Sequence, residues 1–181
     1  MWQKIVSYGG IAGVVVGAPL FGLTIALNGH PASAYGAVVG YLTMLIALSA
    51  VFVAIKRTRD LERGGVIRFW PAFGLGLGIS AVAGVFYVLA WEAALAVTHM
   101  DFAGDYARAL IERQKAGGMT GEALAKFTAD MERFKAEYAD PLYRLPMTFA
   151  EIFPVGVLVS LVSAGLLRNS RFLPAPRNRP G

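Results

Sequence analysis

The chain has no cysteine among its 181 residues and only two histidines. The first absence removes disulfides, thiolate metal sites, cysteine nucleophiles and cysteine-linked lipid anchors. Charge is scarce too, at 16 % of residues, where a soluble domain carries about 25 %. What takes its place is apolar: hydrophobic residues make up 56 % and the mean hydropathy is +0.53. A formal charge of +5 raises nucleic acid as a partner. The surplus, however, sits in short segments beside apolar blocks, and no basic face on a folded surface can be drawn. No nucleic acid is therefore expected.

The apolar residues gather into four blocks, each near the ~20 residues that let a helix cross ~30 Å of hydrocarbon. The first runs from Ile5 to Leu27 and the second from Tyr35 to Ile55, both without a charge. The third starts at Phe69, meets Glu92 and continues to Val97; the fourth spans Leu145 to Leu167. Backbone exposed to lipid must satisfy its own hydrogen bonds, so these blocks are expected to be helices. Lys4 ahead of an apolar run, with a small-residue "ASA" at Ala32 to Ala34, resembles a signal peptide. The run is longer than the 7–15 apolar residues of such a segment, so retention as a crossing is expected.

Charge bias orients the crossings. The stretch Lys56 to Arg68 reads as a loop with five basic and two acidic residues. The tail after Leu167 holds four arginines, Arg168, Arg171, Arg177 and Arg179, and no acid. The connection "NGHPASA", which includes His30, has neither Lys nor Arg. Both ends and the basic loop are thus expected on the cytoplasmic side of the membrane. Trp2, Trp70 and Trp91 fall at block boundaries, where amphipathic rings anchor in headgroups, and Arg168 and Arg171 join them there. The arginines of the tail are each worth at most about 1 kcal/mol near an anionic surface.

Residues 98–144 are then expected outside, with seven basic and eight acidic residues. Phe102, Tyr106 and Leu110 outline a short amphipathic helix that Gly117, Gly118 and Gly121 interrupt, with Thr120 as a cap for the next. Leu124, Phe127, Met131, Phe134 and Tyr138 form one apolar stripe, and Asp140–Pro141 ends it. The simplest arrangement is a hairpin with facing stripes. The alternatives are a stripe lying on the bilayer surface or covering the open end of the bundle. The expected fold is all-α: a four-transmembrane-helix bundle (5–27, 35–55, 69–97 and 145–168), an extracytoplasmic helical hairpin between helices 3 and 4, and a basic cytoplasmic tail, 169–181.

Glycines recur every four residues: Gly9, Gly13 and Gly17 in block one, Gly36 and Gly40 in block two, Gly74 and Gly78 in block three. Each set lies on one face and lets a neighbouring backbone approach. Packing within the bundle accounts for them, and a homo-oligomer is allowed.

Glu151 interrupts the most apolar stretch of block four. At ~1.5 Å per residue it lies roughly 25 Å above Arg168, with Tyr41 and Tyr87 at roughly 22 and 28 Å from their own basic flanks. Pro154 cannot donate to the Ala150 carbonyl, which adds an unsatisfied acceptor nearby. These residues suggest a polar pocket for a ligand or proton, with Arg144 seven residues from Glu151 and His99 seven from Glu92. The bland reading has Glu151 bonded to Tyr41 or Tyr87 as a lock between helices. Two carboxylates and His99 are donor types for a hard divalent ion or Zn²⁺. Glu92 and Glu151 differ by roughly 10 Å in depth, which argues against one shared site. No metal, cofactor or catalytic residue is assigned.

The stretches "GYLTMLIALSAVFVAIKRTRD", "GGVIRFWPAFGLGLGISAVAGVFYVLAWE" and "FKAEYADPLYRLPMTFAEIFPVGVLVSLVSAGLLR", with "GGVIRFWPAFGLG" and "MTFAEIFPVG" the most specific parts, resemble a bacterial family of small four-helix membrane proteins known only as a domain of unknown function. The resemblance covers about Gly9 to Arg168. It implies the same crossings and external insert, and marks Tyr41, Arg57, Gly65, Phe73, Tyr87, Glu92, Glu151 and Pro154 as motif positions without a role.

Three functions are weighed. The first is a non-enzymatic bundle whose external cap stabilises or binds a membrane or periplasmic protein, with membrane lipid around it. The second handles a solute, ion or lipid at Glu151. The third, an intramembrane enzyme, ranks last because Glu92 and His99, its nearest acid–base pair, stand about 10 Å apart along one helix.

Overall fold

The computed structural model describes residues 1–26 and 34–174, with side chains from Val38 onward in the second stretch. It contains α1 (Trp2–Ala26), α2 (Ala34–Glu62), α3 (Phe69–Thr98), α4 (Phe102–Ala116), α5 (Gly121–Tyr138) and α6 (Pro141–Leu167). Helices α1, α2, α3 and α6 are long and apolar enough to cross a membrane, and the two shorter helices lie between the third and fourth of them. His30, Ala32 and Ser33 of the "ASA" motif, Arg177 and Arg179 fall outside the described residues, as do the surroundings of Gly36.

Two boundaries differ from the sequence reading by four residues or more. The basic stretch after Ile55 is not a loop, because α2 continues to Glu62. Lys56 pairs with Asp60 at 2.6 Å one turn on, which supports helix where hydrocarbon has ended. The chain then reverses at Gly64 and Gly65, both at positive φ where a side chain would be strained. The fourth long helix also starts early, at Pro141 rather than Leu145. Asp140 caps it by accepting from the Leu142 N–H at 2.9 Å, and Pro141 fits the first helical position, where no N–H is needed. Pro146 and Pro154 lie inside this continuous helix.

The core consists largely of small side chains. α1 packs on α3 and α2, and α6 packs on α3 and α2. The α1–α3 contact has one parallel register. A Cβ added at Gly9 would meet Val82 Cβ at 2.5 Å, and one at Gly13 would meet Phe86 Cβ at 2.5 Å. Gly17 lies against Ala90 and Gly78 lies against Ile5. Each four-residue step along α1 is thus matched by four along α3, the spacing at which small residues form a groove. Lipid offers little hydrophobic drive between helices, so this close van der Waals fit carries the association.

The α3–α6 contact runs antiparallel. Gly76 abuts Ser160, Ser80 abuts Gly156, and Gly84 abuts the Phe149 ring. The Ser160 hydroxyl donates to the Gly156 carbonyl at 2.7 Å, so this buried polar group is satisfied within its own helix. Gly40 and Gly74, expected at helix contacts, face open space, whereas Gly76, Gly84 and Gly156 make the close approaches.

At the end carrying Lys4, the Arg59 side chain is fully buried. It donates to Asp60 at 2.6 Å, to the Phe172 carbonyl at 2.8 Å and to the Leu173 carbonyl. Lys4 bridges to Thr58 and Glu62. This network ties the start of α1 and the segment after α6 to the end of α2.

Candidate functional site

The antiparallel register of α3 and α6 places two carboxylates at successive levels. One level is Tyr87 with Glu151. The buried Tyr87 hydroxyl donates to Glu151 Oε2 at 3.1 Å. Glu151 itself is exposed at the bundle surface rather than enclosed. Tyr41 is 59 % exposed, and the hydrogen bond from Tyr87 is the one polar contact of Glu151 among the described residues. Of Tyr41 and Tyr87, the structure thus bonds Tyr87 to Glu151, as a link between two helices.

The next level lies at the junction with the α4–α5 hairpin. Arg144 donates from Nε to Glu92 Oε1 and from Nη2 to Glu92 Oε2, both at 2.7 Å. Its Nη1 donates to the Tyr138 carbonyl at 3.0 Å, and the guanidinium stands 5.7 Å from the Tyr138 ring centre. One cation thus joins α3, the last turn of α5 and the first turns of α6. Counting along single helices set Arg144 seven residues from Glu151 and His99 seven from Glu92, on one face each; the structure pairs Arg144 with Glu92 across helices. His99 is exposed, and ends α3 in a left-handed conformation at φ 51°.

Trp91 packs onto the hairpin. Its indole N–H donates to the Tyr138 hydroxyl at 2.8 Å, and its ring meets Phe102 edge-on with centres 5.0 Å apart. Phe102, Tyr106, Phe134 and Tyr138 continue the aromatic contacts between α4 and α5. Burial pushes the Tyr138 phenol above its ordinary pKa, partly opposed by the Trp91 hydrogen bond, so it stays protonated at neutral pH. Trp2 and Trp70, by contrast, are exposed near the opposite end, with Arg168 and Arg171 also exposed.

The hairpin turns at Gly118, where φ is +90°, a value that suits glycine. Asp101 caps α4 by accepting from the Gly104 N–H at 3.0 Å. Thr120 stands at the cap position of α5 without a side-chain capping bond. Between the hairpin and α3 opens a cleft of about 360 Å³. Leu95, Ala96 and Met100 form part of its wall, and Asp101, Lys135, Tyr138, Glu92 and Arg144 supply its polar groups. A smaller cleft of about 140 Å³ lies by Lys4, Thr58 and Arg63. Glu151 lines neither.

Among the described residues, no three His, Asp or Glu side chains gather where a metal ion would be held. Sequence reasoning missed Arg59, Ser80, Ser160 and the hairpin contact of Trp91. The serines were visible as small residues at four-residue spacing, in Gly76–Ser80–Gly84 and Gly156–Ser160–Ala164.

No curated protein and no solved structure matches the chain. A family model described as a protein of unknown function (DUF4199) matches residues 7–169, from the first long helix to just past the end of the last. The chain, a bundle of four membrane-spanning helices with two shorter ones inserted, belongs to the DUF4199 family.

Proposed function

We propose that the chain is a non-enzymatic protein of a bacterial cytoplasmic membrane that holds a helical hairpin rigidly on the extracytoplasmic side for a protein partner. Both ends of the chain then face the cytoplasm. The distribution of charge supports this sidedness: Arg57, Arg63, Arg68, Arg168 and Arg171 are exposed at the end where α2 hands over to α3 and α6 terminates. Exposed basic residues beside short connections are what cells retain inside.

The observation that carries the reading is the Glu92–Arg144 clamp, reinforced by Trp91 on Tyr138. The two-toothed ion pair fixes the hairpin to the bundle, as presenting it to a partner requires. The outer face of the hairpin is solvated, with Arg108 on Asp105 and Lys115 on Glu112 as exposed pairs. Tyr106, Leu142 and Tyr143 stand exposed near it and offer apolar contact to a partner.

The cysteine-free chain makes the test direct. Single cysteines at Glu122 and Ser170 are treated with a membrane-impermeant maleimide on intact cells. The proposal expects labelling at 122 alone, with 170 reacting only after permeabilisation; the reverse pattern overturns the sidedness. A photo-crosslinker at Tyr106 should give a discrete protein adduct that Arg144→Ala weakens. Adducts that form equally in both proteins would remove the role of the clamp.

Within this reading, the Tyr87–Glu151 bond supports a lock between α3 and α6. Replacing Glu151 with Gln keeps an acceptor for Tyr87 and should leave function intact. Loss of function in a folded Glu151→Gln protein would favour solute or proton handling instead.

A further inference from the structure

We propose that the cleft between α3 and the hairpin binds the headgroup of a phospholipid bearing a primary ammonium, with its phosphate on Arg144, Tyr138 and Lys135 and its ammonium on Asp101.

The place suits a headgroup. Glu92, in the wall of the cleft, lies roughly 36 Å along α3 from Arg68, beyond the ~30 Å of hydrocarbon. The apolar part of the wall, Leu95, Ala96 and Met100, belongs to or directly follows a membrane-spanning helix. A volume of about 360 Å³ falls within the range of small-molecule sites.

The chemistry of the lining selects the class. Arg144 has five N–H groups; those to Glu92 and to the Tyr138 carbonyl use three, leaving two for an anion. The Tyr138 hydroxyl accepts from Trp91 and keeps its own proton to donate. Lys135 is held by Glu132 in a surface pair at 2.9 Å, a contact weak enough for a phosphate to displace. Glu92 and Arg144 neutralise each other. The remaining charges of the lining are thus one cation, Lys135, and one anion, Asp101, which spends only Oδ1 on its cap. One charge of each sign matches a zwitterion. A carboxylate also favours an ammonium with N–H bonds over a quaternary one, which has none to donate. The proposal needs only that the bundle spans a membrane, so it stands whichever side the hairpin faces.

The test uses the full chain purified in non-ionic detergent and native mass spectrometry. Phosphatidylethanolamine, phosphatidylcholine and phosphatidylglycerol of equal chain length are titrated separately. The proposal expects phosphatidylethanolamine to bind about five-fold tighter than either other lipid, one charged contact being worth about that factor. Asp101→Asn should remove most of this preference, whereas Lys135→Ala should weaken all three lipids, since each carries the phosphate. Asn still caps α4, so Asp101→Asn takes away charge without taking away the cap; matching thermal melts confirm that both variants fold. Equal binding of the three lipids, a preference that survives Asp101→Asn, or binding unaffected by Lys135→Ala overturns the proposal. Competition by glycerophosphoethanolamine or inorganic phosphate at concentrations comparable to the lipid would retain a phosphate site but overturn the lipid as its occupant.

Discussion

Arg144 and Glu92 are held together across α3 and α6 by two parallel hydrogen bonds of 2.7 Å, with both side chains partly buried. A fork-on-carboxylate pair of this kind is stronger and more directional than a surface ion pair. Arg144→Ala is expected to lower stability by about 2–3 kcal/mol, the range for hydrogen bonds to charged groups. Arg144→Lys should recover only part, because an ammonium cannot make both bonds in one plane. Thermal unfolding in detergent reads the loss. Exchanging the two residues, Glu92→Arg with Arg144→Glu, should restore more than either single change leaves.

The α1–α3 groove gives a contrast between neighbouring glycines. Gly13→Ala drives a methyl against Phe86 Cβ, an atom fixed to the backbone, and should cost about 1–3 kcal/mol. Gly10→Ala meets no atom within 4 Å and should be neutral or slightly stabilising, since alanine favours helix by about 1 kcal/mol. Comparing the two melting temperatures checks the parallel register without disturbing any polar group. Equal effects would count against that register.

Arg59 carries a separate expectation. Its removal leaves the Phe172 and Leu173 carbonyls without their donor and Asp60 with Lys56 alone. Arg59→Ala should cost about 3 kcal/mol or more, as breaking a buried charged network does. It should also expose the chain after Asn169 to protease while the spans stay intact, which limited proteolysis followed by mass measurement will show.

Glu151→Gln should change stability by less than about 0.5 kcal/mol, because the amide oxygen still accepts from Tyr87. Tyr87→Phe removes the donor and should cost about 1 kcal/mol. A larger loss from the Gln variant than from the Phe variant would mean that the carboxylate has a further partner.

Much of this architecture was legible in the residues. The apolar runs marked four long helices, and the stripe from Leu124 to Tyr138 marked a second helix of a hairpin. What was not legible depended on register between helices. Arg144 could be placed only relative to Glu151, and Glu92 only relative to His99, because counting along one helix is all that a sequence allows. Pairing Arg144 with Glu92 follows from the way Gly76 meets Ser160 and Ser80 meets Gly156, which sets α3 against α6. The contact of Trp91 with the hairpin was not legible either, because its position at a block end says nothing of the hairpin that folds back onto it. The early end assigned to α2 had another cause: charges mark where hydrocarbon stops, whereas Lys56 and Asp60 let the helix go on.

The central claim is that the hairpin is a fixed part of the bundle. Spin labels on cysteines introduced at Lys126 in α5 and Arg168 after α6 test it most directly, through their distance distribution in lipid nanodiscs. The account predicts one narrow distance in the parent chain and a broad distribution once Glu92 is replaced by Gln. A broad distribution in the parent chain, or a narrow one unaffected by that replacement, would contradict it.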